Sequence, residues 1–418
     1  MRKTAFLLTA LLALASCADF DDATTPIGSP VTITLQRPDK FVDASSMAGR
    51  SVTLKTEGQT ITVLTDAMGK ATFSQLTPNI YNISAAWELS HDDFVAMTGG
   101  AVTTLDDVHK ITVSGSLANQ KITEGQDIVL PMLASENQDI IIGKIYYATS
   151  KDNNNRNYDA GTYLELYNQA NDTVDVAGLY IGLTESENTQ PYTLENLHEQ
   201  HADSVILLKQ LFRIPADTAF RVAPGGTVVI ANSAIDHTQN NTSMESDLSG
   251  ADFEAKDASG KKFTNNPDVP ALQQLFSIYK NISWMNFVTN GLCGVVIIKT
   301  DEDINTWKKT YKYPNTDTKG FEFLLCHKRV ILDGVECLPN KSGTGPNVSA
   351  KRLFPDIDAS YINITAANGR SGEVVYRKTS ERTGTDGHHL LIDTNNSGND
   401  FQVSTTIKPR QYDEISDK

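Results

Sequence analysis

Runs of about five to ten residues rich in Val, Ile, Leu, Thr and aromatics recur along almost the whole chain, bounded by Gly, Pro, Asn or Asp. VTITLQR (31–37), SVTLKT (51–56), TITVLTD (60–66) and ATFSQL (71–76) come first. IYNISAAWEL (80–89), HKITVSGSL (109–117) and DIVLPML (127–133) follow. Several alternate polar and apolar residues, the period of a half-buried strand. Turn residues separate them: Asp66-Ala67-Met68-Gly69, Pro78-Asn79 and Gly99-Gly100. Such spacing predicts a mostly β chain of antiparallel β-sandwiches. The length of 418 residues predicts two domains, at 31–135 and 136–418.

The first 30 residues read differently. Arg2 and Lys3 precede the apolar run TAFLLTALLALAS (4–16), which is too short to span a bilayer. Residues 1–16 therefore read as a signal peptide. It ends in Leu14-Ala15-Ser16-Cys17, which resembles the lipobox of bacterial lipoproteins, implying lipid on Cys17 and a membrane hold through it. Residues 17–30 hold Asp19, Asp21 and Asp22 and then Thr, Pro, Gly and Ser, the composition of a flexible tether. The acidic cluster resembles the signal by which Bacteroidota export lipoproteins to the outer face of the outer membrane. The expected location is thus the outer membrane facing the exterior, with a periplasm-facing anchor as the alternative.

The net charge is −15, and removal of residues 1–16 takes away two cations and no acid. No basic patch exists to neutralise phosphates, so nucleic acid is not an expected partner. Besides Cys17 the chain has Cys293, Cys326 and Cys337, with no CxxC. Export permits one disulfide. Cys326 and Cys337 flank the Asp333-Gly334 bend and are the expected pair, with Cys293 buried as a small hydrophobe.

Two segments carry resemblances. TVLTDAMGKATFSQLTPNIYNISAAW (62–87) resembles prealbumin-like and carboxypeptidase-regulatory-like modules through Thr65, Asp66, Gly69, Phe73, Leu76 and Tyr81. The second domain resembles the lamin tail domain, an immunoglobulin-like sandwich. The matching residues are Leu164-Glu165-Leu166-Tyr167-Asn168, Asp175-Val176-Ala177-Gly178, Pro224-Gly225-Gly226-Thr227, Leu332-Asp333-Gly334-Val335, and Asp393 to Ser397 with Asp400-Phe401. The chain as a whole resembles Bacteroidota outer-membrane lipoproteins of unknown function, which implies a place beside an outer-membrane receptor. Asn168 and Asp175 suit turn capping, and Gly178, Gly225 and Gly226 suit positive φ. These motifs are architecture, so QANDTVDV (169–176) is a turn without chemistry.

Large insertions interrupt that scaffold at about 184–219 and 233–285, and they look partly helical. ADSVILLKQLF (202–212) and DVPALQQLFSIYK (268–280) both place apolar residues near helical spacing. Insertions on a rigid scaffold are where function sits. Tyr192, Phe212, Phe253, Phe276, Tyr279 and Trp284 fall there and are candidate binding residues, since aromatics are enriched at interfaces.

Candidate chemistry is sparse. His198 and His201 in HEQH, with Asp203, form a candidate transition-metal set, though not the HExxH pattern. DTNNSG (393–398) resembles half a calcium loop without the acidic residue at position twelve. No cofactor is expected otherwise. No nucleophile elbow, phosphate loop or dinucleotide fingerprint occurs. The expected function is a non-catalytic surface lipoprotein that binds a partner, such as an outer-membrane nutrient receptor or a surface ligand. The alternative is an extracytoplasmic hydrolase with its site in 184–285.

Overall fold

The computed structural model describes residues 26–39, 41–56, 59–100, 111–136, 138–184, 197, 199, 201, 204–241, 243–291, 293–311, 321–340, 346 and 348–412. The chain is mostly β, in several sheets with few helices. It divides into two compact units. Of the described residues, the first takes in those within 26–86, 96–100 and 116–132, and the second those within 87–95, 111–115 and 133–412.

In the first unit Val31–Gln36 is the middle strand of three. It runs antiparallel to Lys70–Phe73 and parallel to Asp127–Pro131. Its alternation is literal: Val31, Ile33 and Leu35 are buried while the residues between them are not. Ser51–Thr56 forms a hairpin with Gln59–Leu64 and pairs on its other edge with Asn79–Leu89. The turn at 66–69 closes because the Asp66 carboxylate accepts the amides of Met68 and Lys70, while Gly69 supplies a φ of +74°. Phe73, Leu76 and Tyr81 are buried.

The second unit is a sandwich of two sheets. One has six strands in the order Phe253–Glu254, Thr227–Ala231, Tyr163–Asn168, Ile140–Tyr146, Val374–Arg377 and Phe401–Ser404. The other has seven. Along its main path lie Lys309–Tyr311, Glu322–His327, Val205–Arg213, Tyr180–Thr184, Cys293–Ile298 and Ile331–Cys337. Gln273–Ser277 adds to Val205–Arg213 off that path. Ile142, Ile145, Leu164, Leu166, Val228 and Ile230 of the first sheet share one core with Ile181, Leu183, Phe212, Val295, Ile297 and Val335 of the second.

The central strands of the seven-stranded sheet are buried on both faces. Tyr180, Leu211, Val296 and Ile298 point into a second core with Leu353, Phe354 and Ile357. Their sequence neighbours Ile181, Phe212, Val295 and Ile297 point into the first. The Glu336 carboxylate accepts the amides of Arg352 and Leu353 at 2.7 Å, which holds the covering segment in place.

Two helical expectations are overturned, and double burial explains the first of them. ADSVILLKQLF supplies all but the last residue of the buried strand Val205–Arg213, and DVPALQQLFSIYK contains the mostly exposed strand Gln273–Ser277. A strand covered on both faces needs apolar residues on both, so the alternation that would distinguish it from a helix disappears.

The cysteines also depart from expectation. Cys293, Cys326 and Cys337 are all buried, with no disulfide between Cys326 and Cys337. Cys326 lies in the second core opposite Ile206, whereas Cys337 lies in the first core opposite Cys293. Strand pairing therefore sends Cys326 and Cys337 to different cores.

Candidate functional site

Val205–Arg213 receives two strands end to end along one edge. Its first half pairs with Glu322–His327, Val205 opposite His327 and Leu208 opposite Leu324. Its second half pairs with Gln273–Ser277, Gln210 opposite Ser277 and Arg213 opposite Gln273. Both pairings are antiparallel, so the end of one strand and the start of the other meet at Lys209. There the chain after Ser277 leaves the sheet, with the Ile278 amide donating to the Lys209 carbonyl at 2.9 Å.

Two buried polar side chains fix the departing loop. Lys209 Nζ donates to the Asn286 carbonyl at 2.7 Å. Gln210 Nε2 donates to the Trp284 carbonyl at 3.0 Å, and Gln210 Oε1 accepts the Asn286 amide at 2.8 Å. Lys209 and Gln210 are fully buried. They therefore tie the loop that carries this wall back to the sheet at residues 284 and 286, because a buried amide or ammonium keeps its hydrogen bonds.

The wall and the seam enclose an open groove of about 680 Å³, lined by Phe276, Ile278, Tyr279, Lys280, Ile282, Lys309, Phe321 and Glu322 among others. Tyr279 and Phe321 meet edge to face with centroids 5.7 Å apart. The Lys309 ammonium sits 5.3 Å from the centre of the Phe276 ring. Phe321 and, on the adjoining strand, Leu275 are each 45% exposed. Large apolar side chains left in water beside a cationic rim suit a contact surface.

The structure sorts the candidate aromatics. Phe276 and Tyr279 line this groove. Phe212 and Phe253 are core residues, and Phe253 packs on Phe220 at 4.9 Å. Trp284 is half-buried against Phe263 at 5.1 Å. Tyr192 lies outside the described residues. Lys309 and Phe321 were not legible as site residues, because only the pairing of distant strands brings them beside Phe276.

Of the metal candidates, His198 and Asp203 lie outside the described residues, as does Cys17. His201 has a buried Nε2 without a hydrogen-bond partner, and burial, then His327, lowers its pKa. Among the described residues no group of three or more His, Cys, Asp or Glu has metal-holding geometry.

The half calcium loop faces a guanidinium. Arg377, 1% exposed, reaches Asp333 at 2.9 Å, Asp393 at 3.1 Å and Asp400 at 3.2 Å. Its Nε donates to the Ile142 carbonyl at 3.0 Å, and its carbon lies over the Phe401 ring at 4.6 Å. Burial raises Asp393 to about 6 and Asp400 to about 7, against the pull of Arg377. Burial opposes the charge on Arg377, yet the three carboxylates hold its pKa above the usual value. Asn396 Oδ1 is committed too, capping the turn Ser397–Asp400 through the Asn399 amide.

A further polar cluster was not legible in sequence. His237 Nε2 donates to the Ser233 carbonyl at 2.7 Å, which leaves Nδ1 to accept from Tyr158 at 2.6 Å. Burial lowers its pKa, so the ring is neutral near pH 7. Both nitrogens are occupied, and the imidazole ties its loop down rather than acting as a base. Nearby, Tyr146 and Ser150 donate to the buried Glu245 carboxyl, whose pKa burial raises.

Comparison with known proteins bears on the fold. Residues 223–408 match the family described as "Protein of unknown function (DUF4876)". The crystal structure of a DUF4876 family protein from Bacteroides thetaiotaomicron is similar, with a TM-score of 0.54 at 19% identity. The match covers 90% of this chain and 94% of that one. Among curated proteins none matches. The groove residues Phe276, Tyr279, Lys309 and Phe321 fall within the family match, whereas the strand Val205–Arg213 precedes it.

Proposed function

We propose that this chain is a non-catalytic lipoprotein, held through Cys17 at the outer face of the outer membrane, that binds a partner with the aromatic groove. The partner is an outer-membrane receptor or a ligand presented at the cell surface. The observation that carries the reading is the groove itself: Phe276, Tyr279 and Phe321 beside Lys309, in an open depression whose wall is fixed by Lys209 and Gln210. A wall tied to the sheet at its base loses less freedom on binding, which favours recognition. The units are read as a prealbumin-like module and a lamin-tail-like sandwich. In support of the second reading, the quoted segments at 164–168, 224–227, 332–335 and 400–401 fall on strands or turns of one sandwich.

The test is capture from native outer membranes by the tagged protein. Phe276→Ala with Tyr279→Ala should lower recovery of the captured partner roughly tenfold or more. The variant should still unfold in one cooperative transition, its urea midpoint lowered only modestly because Phe276 packs at the edge of the second core. Full-strength capture by the double variant would remove the groove from consideration. Anchoring is tested separately: Cys17→Ala should move the protein from the membrane to the soluble fraction or stall its processing. Retention in the membrane fraction after normal processing would defeat the lipid anchor.

A further inference from the structure

Cys293 and Cys337 stand directly opposite each other where Cys293–Ile298 pairs antiparallel with Ile331–Cys337. Opposite residues of such a pair project to the same face with Cβ atoms roughly 4.5–5.5 Å apart. A disulfide asks for roughly 3.5–4.5 Å, so a small local adjustment suffices. Both side chains line one interior void, with Tyr147 and Val288, that has no room for water. That void gives the sulfurs space to rotate toward each other. Cys326 has no such neighbour: it faces Ile206 across its strand pair and sits in the other core.

We propose that Cys293 and Cys337 are a covalent modification site, forming a cross-strand disulfide when the protein folds in the presence of a disulfide oxidant of the glutathione class. The Cys337 thiolate attacks the oxidant, giving a mixed disulfide and releasing one thiol. The Cys293 thiolate then attacks the Cys337 sulfur, closing the S–S bond and releasing the second thiol. The two cysteines lose two protons and two electrons, and the oxidant gains both pairs. Closure happens before the sheets pack, because both thiols are buried afterwards. Burial then pushes the Cys337 thiol well up, so folded reduced protein is inert to oxidant. The bond staples Ile331–Cys337, the last strand on the main path of its sheet, to its neighbour. The chemistry needs only the oxidant and stands apart from the lipoprotein reading.

The test is refolding of the purified full chain carrying Cys17→Ser, in oxidised and reduced glutathione, followed by alkylation and peptide mapping. The expected product links the peptides of Cys293 and Cys337 and leaves Cys326 alkylated. Melting of the oxidised form should lie roughly 5–10 °C above the reduced form, given the long loop that the bond closes. Cys326→Ala should give the same bridge and the same shift, and Cys293→Ala should give neither. Three alkylated thiols, or any bridge to Cys326, would overturn the assignment. So would loss of the bridge in Cys326→Ala, a variant that leaves the proposed pair intact.

Discussion

Arg377→Met is expected to destabilise the second unit by roughly 3–5 kcal/mol, the cost of removing one partner from a buried charge cluster. Methionine fills similar space but neutralises nothing. Asp333, Asp393 and Asp400 would lose their counter-charge, and the carbonyls of Ile142 and Ile392 their donor. The loss should depend on pH. Asp393 and Asp400 have folded pKa values raised to about 6 and about 7, above the ordinary 3.8. Their contribution to stability is therefore fully present below pH 3.8 and declines as pH rises through 6 and 7. Without the guanidinium, ionising them costs more, so the variant should lose more stability at pH 8 than at pH 5. Urea midpoints of wild type and variant at both pH values give that difference. Groups common to both proteins, such as the lowered His237, cancel in it. An equal loss at pH 5 and pH 8 would contradict the coupling of Arg377 to these carboxyls.

The second large effect is expected on the other face of the six-stranded sheet. Lys144 and Glu165 are fully buried and 3.4 Å apart. Above them lies the C-terminal segment: Lys144 Nζ donates to the carbonyls of Lys408 and Gln411, each at 2.8 Å. Glu165 Oε2 accepts the Arg410 amide at 2.8 Å, and the ammonium stands 4.5 Å from the centre of the Tyr412 ring. Burial lowers the pKa of Lys144 and raises that of Glu165, each held in check by the other. Lys144→Met should cost roughly 3–5 kcal/mol and free the segment, read as faster tryptic cleavage after Arg410. Lys144→Met with Glu165→Leu should be milder than the single change, since no lone charge remains. Additive losses would mean that the two charges act independently.

Much of the architecture was legible because turn chemistry is local. Asn168 closes its turn by donating to the carbonyls of Asp172 and Val222, and Asp175 accepts the amides of Ala177 and Phe220. QANDTVDV is thus a capped connection. Gly225 has the expected positive φ, +68°. Gly226 does not; a side chain there would press to 2.8 Å of the Ala223 carbonyl, so its role is close approach.

What escaped the sequence is what distance in the chain hides. Glu165, Asp333, Asp393 and Asp400 were read as turn and strand residues. Their buried cations, Lys144 and Arg377, carry no signal of their own in a chain with 36 Lys and Arg. The groove needs the seam at Lys209, and the opposed cysteines need the register of two strands about forty residues apart, which no local pattern encodes.

The Arg377 cluster also sets when the second unit can finish folding. Its hydrogen bond to Ile142 closes a separation of 235 residues, and that from the Ile142 amide to Asp333 a separation of 191. Two of its carboxylates, Asp393 and Asp400, come later still in sequence. Contacts so far apart in sequence make for slow closure, because loop entropy is lost before any bond returns it. A chain still emerging from a ribosome has Ile142 and Asp333 but lacks their cation until residue 377 appears. The cluster therefore acts as a late latch: the sandwich closes only once the segment from Arg377 to Asp400 has joined Ile142 and Asp333.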